Sequence, residues 1–165
     1  CELISVENGD ELSTYAVNML GKEVEVNELE RFVDIITDNR AGESLTEALT
    51  ELLRDNGDKV KEKVLAEYSD DVFGKGNLIE IMSGMSQDDR VFKILLNELN
   101  SDDKNIALNA GYIARYGDER AIADLEKLIE KDGISYYDFK ELKNAVEELG
   151  GEYKGSKFTS VKQIH

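Results

Sequence analysis

Six carboxylates recur at a spacing of four: Glu30, Asp34 and Asp38, then Glu47, Glu51 and Asp55. In a helix this spacing sets each trio along a single face. Like charges at i, i+4 destabilise a helix by about 0.2–0.5 kcal/mol per pair. Asp38 and Asp55 also fall near expected helix C-termini, where the dipole disfavours an anion. Two capping boxes, Asn27-Glu28-Leu29-Glu30 and Ser44-Leu45-Thr46-Glu47, would account for Glu30 and Glu47. Helix stability accounts for none of the other four. The plain reading is a solvated face; the functional reading is a docking surface for a cationic protein, with all six residues as its candidates.

Catalytic chemistry finds little in the same chain. The single histidine is His165 and the single cysteine is Cys1, so a Ser-His or Cys-His pair would have to recruit the chain ends. No spacing picks out two carboxylates held across a cleft for acid–base work. Asp55-Asn56-Gly57-Asp58 has a calcium-like composition without the twelve-residue loop or its closing glutamate. Gly74-Lys75-Gly76 lacks the GxxxxGK[ST] spacing of a phosphate loop and reads as an ordinary loop. Asp88-Asp89, Asp102-Asp103 and Asp118-Glu119 fall at expected helix starts, where the dipole favours acids. Tyr136, Tyr137 and Phe139 read as an aromatic seal on the last helices. The expectation is a protein that is not an enzyme, with no cofactor and no metal site.

Charge narrows the partner. The 165 residues carry a net charge of −16. Residues 1–58 hold 15 acids against 4 bases, residues 59–152 hold 21 against 13, and the last 13 residues hold three lysines and no acid. Such a field repels nucleic acid and anionic membrane and attracts basic proteins. One cysteine excludes an internal disulfide, and the short apolar runs exclude a membrane span. The expected compartment is the cytoplasm. A leading cysteine is the mark of a lipidated mature protein, but Glu2-Leu3-Ile4 does not read as a polar tether, so a trimmed start is expected, with His165 as the beginning of a tag.

The elements that must carry these residues read as helix throughout. Proline, which costs about 3 kcal/mol in a helix interior, is absent. Asp10 to Leu20 forms a helix with Leu12, Tyr15, Ala16 and Met19 on one face and Gly21 as its stop. The next buries Leu29, Phe32, Val33 and Ile36, and the one after it Leu45, Ala48, Leu49 and Leu52. Asn56-Gly57-Asp58 stops that helix and starts another with Val60, Val64, Leu65 and Tyr68 inside. A loop from Ser69 to Gly76 leads to a short helix from Asn77, and Ser86-Gln87-Asp88-Asp89 opens a helix to Leu99. Ser101-Asp102-Asp103 opens the helix to Arg115, and Ser135-Tyr136-Tyr137-Asp138 opens the last, to Leu149. About nine helices and no strand result. Lys154 to His165 reads as a mobile basic tail.

Between Asn77 and Lys131 the pattern repeats at 30 residues: Asp88 over Asp118, Arg90 over Arg120, Leu95 over Leu125, Leu99 over Ile129. Gly117 can end a helix in the left-handed conformation and Asp118 can cap the next. On Gly117, Asp118, Arg120, Ala121, Leu125 and Leu128 the chain resembles the HEAT-like repeats found in phycobilin lyase-related proteins. The resemblance implies an all-α fold, a short right-handed α-solenoid of antiparallel helix pairs, and a binding role. Residues 1–152 would form one helical-repeat domain, clearest at 77–150, with a basic tail at 153–165. The expected function is non-catalytic binding of a basic protein, in its sharpest form an immunity-type inhibitor of a toxin such as a nuclease. A general adaptor module and an acidic DNA mimic are the alternatives, and a lyase-like enzyme comes last.

Overall fold

Apolar residues at i, i+3 and i+4, with no proline to interrupt them, give helix over most of the chain. The computed structural model describes residues 10–20, 24–101 and 104–158. Among them stand nine α-helices: α1 (Asp10–Leu20), α2 (Val26–Thr37), α3 (Glu43–Asp55), α4 (Gly57–Glu67), α5 (Lys75–Met82), α6 (Asp89–Ser101), α7 (Ile106–Tyr116), α8 (Ile122–Ile129) and α9 (Tyr136–Glu148). A 3-10 turn, Glu119–Ala121, leads into α8. The fold is all-α, packed by contacts between successive and between alternate helices. It divides into two units at Ser86/Gln87. Cys1, Gly21, Asp102, Asp103, His165 and the side chain of Leu12 lie outside the described residues.

In the first unit, alternate contacts run α1 to α3 to α5 and α2 to α4, while successive contacts join α2 to α3, α3 to α4 and α4 to α5. Helix α3 therefore sits at the centre and is buried around most of its circumference, at Leu45, Ala48, Leu49, Thr50, Leu52 and Leu53. Glycine makes one of these approaches possible. A Cβ on Gly84 would lie 2.3 Å from the carbonyl oxygen of Arg54, so the chain after α5 can touch the end of α3 only without a side chain there. Of the face expected for α1, Ala16 is buried, but Tyr15 and Met19 are not, at 63% and 70% exposed. The helix also buries Ser13 and Val17. It packs on α3, and two of these three buried residues, Ser13 and Ala16, are small.

In the second unit, α6 meets α7 and α8, and α9 meets α7 and α8. The 30-residue correspondence is visible in burial. Val91 and Ala121, Leu95 and Leu125, and Leu99 and Ile129 are all buried. Phe92 is buried while its counterpart Ile122 is half-buried.

Several helix starts differ from the sequence expectation. Helix α2 begins at Val26, with Glu25 in the cap position, and α3 begins at Glu43, with Gly42 in the cap position; neither start has a side-chain cap. Asn27 and Ser44 thus lie inside the first turn, and neither predicted capping box forms. Ser101 ends α6, donating to the Asn97 carbonyl at 2.6 Å, and α7 opens at Ile106 behind Asn105. Ser86 caps nothing; its N–H and hydroxyl both donate to Asp58 Oδ1, at 2.8 and 2.9 Å. The expected start does form at α9, where Ser135 Oγ accepts from the Asp138 N–H at 3.0 Å. The described part of the tail folds back on that helix: Tyr153 and Phe158 pack on Phe139, and Phe158 also meets Tyr136. Tyr136 and Phe139 are thereby met from the C-terminal side, Tyr137 is not, and residues 153–158 pack against α9 through Tyr153 and Phe158.

Candidate functional site

The two carboxylate trios lie on α2 and α3, and the structure holds them in separate ion-pair clusters. Asp34 Oδ1 accepts from Lys63 Nζ on α4 at 2.7 Å. Lys63 also reaches Glu67, at 3.0 Å, and these two hydrogen bonds, Asp34 first, raise its pKa. Asp38, at the C-cap of α2, pairs with Arg40 at 3.3 Å. On α3, Glu51 and Asp55 flank Arg54, each at 3.7 Å, and Arg54 reaches Glu80 on α5 at 3.1 Å. Among the described residues, Glu30 and Glu47 form no ion pair, and no hydrogen bond joins one trio to the other.

What the structure adds is the setting of the second trio. With the rest of α3 packed against neighbours, its solvent face is a narrow strip holding Glu43, Ser44, Glu47, Glu51 and Asp55, with half-buried Arg54 at its edge. Four carboxylates at i, i+4 spacing make up nearly all that this central helix shows to water. The failed capping boxes sharpen the point, because Glu47 has no capping task.

The other acidic sites have structural work. Asp118 is buried and accepts from the Arg120 N–H at 3.0 Å and from its guanidinium at 2.7 Å. These bonds hold its carboxyl below its ordinary value of 3.8, against the opposing effect of burial. Asp88 and Arg90 repeat the same clamp 30 residues earlier, at 2.9 Å to the N–H and 2.8 Å to the guanidinium. Arg120 goes further, lying 4.3 Å over the Phe92 ring and bonding Asp89 at 2.9 Å. The Tyr116 hydroxyl accepts from the Asp88 N–H at 2.6 Å and donates to the Asp88 carbonyl at 3.0 Å. Burial pushes its pKa up. This clasp was not read from the sequence; the spacing of 28 between Asp88 and Tyr116 carries no local signal.

The motifs with bland readings also find places. Asn56 joins α3 to α4, its side-chain amide donating to the Leu52 carbonyl at 2.9 Å, and Asp58 serves Ser86. Gly74 has φ 75° before α5, and a Cβ there would meet Ile36 Cγ2 at 2.8 Å, so backbone geometry and space both require glycine. Lys75 pairs with Asp70 at 3.6 Å. Among the described residues, no group of three or more His, Cys, Asp or Glu side chains is placed to hold a metal ion. Nor is any helix there long and apolar enough to cross a membrane.

A second feature lies in the other unit, a groove of about 590 Å³ between α7 and α9 whose lining includes Leu108, Gly111, Arg115, Tyr137 and Glu141. Fold and surface together define an all-α protein with an acidic strip on one helix and a mixed-charge groove between two others. No family model, no curated protein and no solved structure matches the chain.

Proposed function

We propose that this chain is a non-catalytic binding module whose acidic helical surface engages a basic protein, in its most concrete form an immunity-type inhibitor that covers the site of a basic toxin. One observation carries the reading: the solvent strip of α3 is almost wholly acidic, with like charges at i, i+4 that only the first-turn place of Glu43 and the half-buried Arg54 offset. The net charge of −16 extends the same attraction to longer range. Asp34 is held at 2.7 Å by Lys63, whereas Glu51 and Asp55 lie 3.7 Å from Arg54 and are more exposed, and Glu47 forms no ion pair among the described residues. These three are the better contact residues within the six. We further read the helix pairs as HEAT-like repeats. The support is the alternation of successive and alternate contacts within each unit and the matched clamps at Asp88–Arg90 and Asp118–Arg120.

The test is capture of partners from a lysate on the immobilised chain and on its E47K/E51K/D55K variant, followed by binding kinetics with the purified partner. A basic protein should be retained by the first and lost by the second. Its association should slow steeply as salt rises, because steering acts over a Debye length of about 10 Å at 0.1 M. Undiminished capture by the variant, or association indifferent to salt, would reject the strip as the contact surface.

A further inference from the structure

Helix α7 has two faces with different tasks. Ile106, Asn109, Ala110, Ile113 and Ala114 are buried. On the other side Leu108, Gly111 and Arg115 follow one another at i, i+3, i+7 and form one wall of the groove against α9. Leu108 is 52% exposed and Tyr137, on the opposite wall, is 66% exposed, so two large side chains face one groove without covering it. Charge is divided between the walls. Lys104 and Arg115 belong to the α7 side, Asp138 and Glu141 to the α9 side.

Gly111 is the second, independent observation. It stands inside a helix, where glycine is weaker than any residue except proline. It is not among the glycines with positive φ, and a Cβ added there would meet nothing within 4 Å. Neither the backbone nor the packing of this unit requires glycine. Its effect is to leave the α7 wall of the groove at backbone level, where another chain can approach closely.

We infer that this groove seats an amphipathic helix of a partner protein. The helical part of the α7 wall, Ala107 to Arg115, spans about 12 Å, or roughly two helical turns. A helix laid along it would cover Leu108 and Tyr137 with its apolar stripe and cross α7 most closely at Gly111. Its edge facing Lys104 and Arg115 would be acidic, and its edge facing Asp138 and Glu141 basic. This is the helix-in-groove mode of recognition, with the opposed charges fixing the direction of the guest. The surface differs in kind from the strip on α3, which presents almost a single sign, and the inference does not rest on that reading.

Two synthetic peptides of about five turns test it. Both carry the same leucine stripe and the same numbers of Glu and Lys. In one the acids and bases occupy opposite edges; in the other they are intermixed. Each is titrated into the isotope-labelled full chain and followed by amide chemical shifts. The segregated peptide should bind at least about tenfold more tightly than the intermixed one and shift amides in α7 and α9. Gly111→Leu, a better helix former pointing into open space, should lower that affinity at least about tenfold while the helical spectrum is kept, and Arg115→Glu should do the same. Equal affinity of the two peptides, no binding of either, shifts confined to α2 and α3, or unchanged affinity of either variant would overturn the inference.

Discussion

Asp118 shows how one carboxylate can hold a helix start and a helix contact together. Its oxygens take the Arg120 N–H and guanidinium, and the same guanidinium covers Phe92 and binds Asp89 on α6. Because those bonds lower its pKa below 3.8, its charge stabilises the fold fully above that value, and the contribution is lost as pH falls through the lower, folded value. Asp118→Asn keeps a cap acceptor but removes the charge-assisted pair. At pH 7 it should cost about 1–2 kcal/mol, by analogy with lost caps and hydrogen bonds to charged groups. Urea unfolding at neutral pH and again near pH 3 is the measurement, and the gap between wild type and variant should shrink in acid. A gap of the same size at both pH values would mean that the charge of Asp118 is not what matters.

At the scale of elements, the helix starts separate what was legible in the sequence from what was not. The junctions at Asn56-Gly57-Asp58 and Gly117-Asp118, the start at Ser135 and the core positions of α2, α3 and α6 follow from local spacing, and the structure has them. The starts of α2 and α3 do not. A capping box at Asn27 or Ser44 competes with a helix start two residues upstream, and the extra backbone hydrogen bonds, such as Leu29 N–H to the Glu25 carbonyl at 3.1 Å, prevail. The inward face of α1 was legible only at Ala16, because the sequence ranks Tyr15 and Met19 by size while Ser13 and Val17 are the residues buried beside it. The α7–α9 groove was missed for a related reason, since only Gly111 inside a helical pattern signals it. A cap comparison follows. Ser135→Ala should cost about 1 kcal/mol, because its hydroxyl oxygen accepts from the Asp138 N–H, whereas Ser44→Ala should lie within about 0.5 kcal/mol of wild type. Thermal melts of the two variants decide it, and equal losses would restore the capping box at Ser44.

For the molecule as a whole, the question is whether its excess of acid serves the fold. A net charge of −16 repels itself in the compact state, and the α3 strip concentrates that repulsion at Glu43, Glu47 and Glu51, each four residues from the next. Added salt should therefore raise the melting temperature until the repulsion is screened. Glu47→Lys turns two repulsive i, i+4 neighbours into attractive ones. Counting both the lost repulsions and the new pairs, it should stabilise the chain by roughly 0.8–2 kcal/mol at low salt and flatten the salt dependence. If the strip binds a basic partner, the same substitution should weaken that complex, so stability and binding would move in opposite directions. Melting curves across a salt series, run beside the partner-binding kinetics, measure both. A Glu47→Lys chain less stable than wild type at low salt would show that the strip is held by contacts within the fold, and the case for its acidity as a binding feature would go with it.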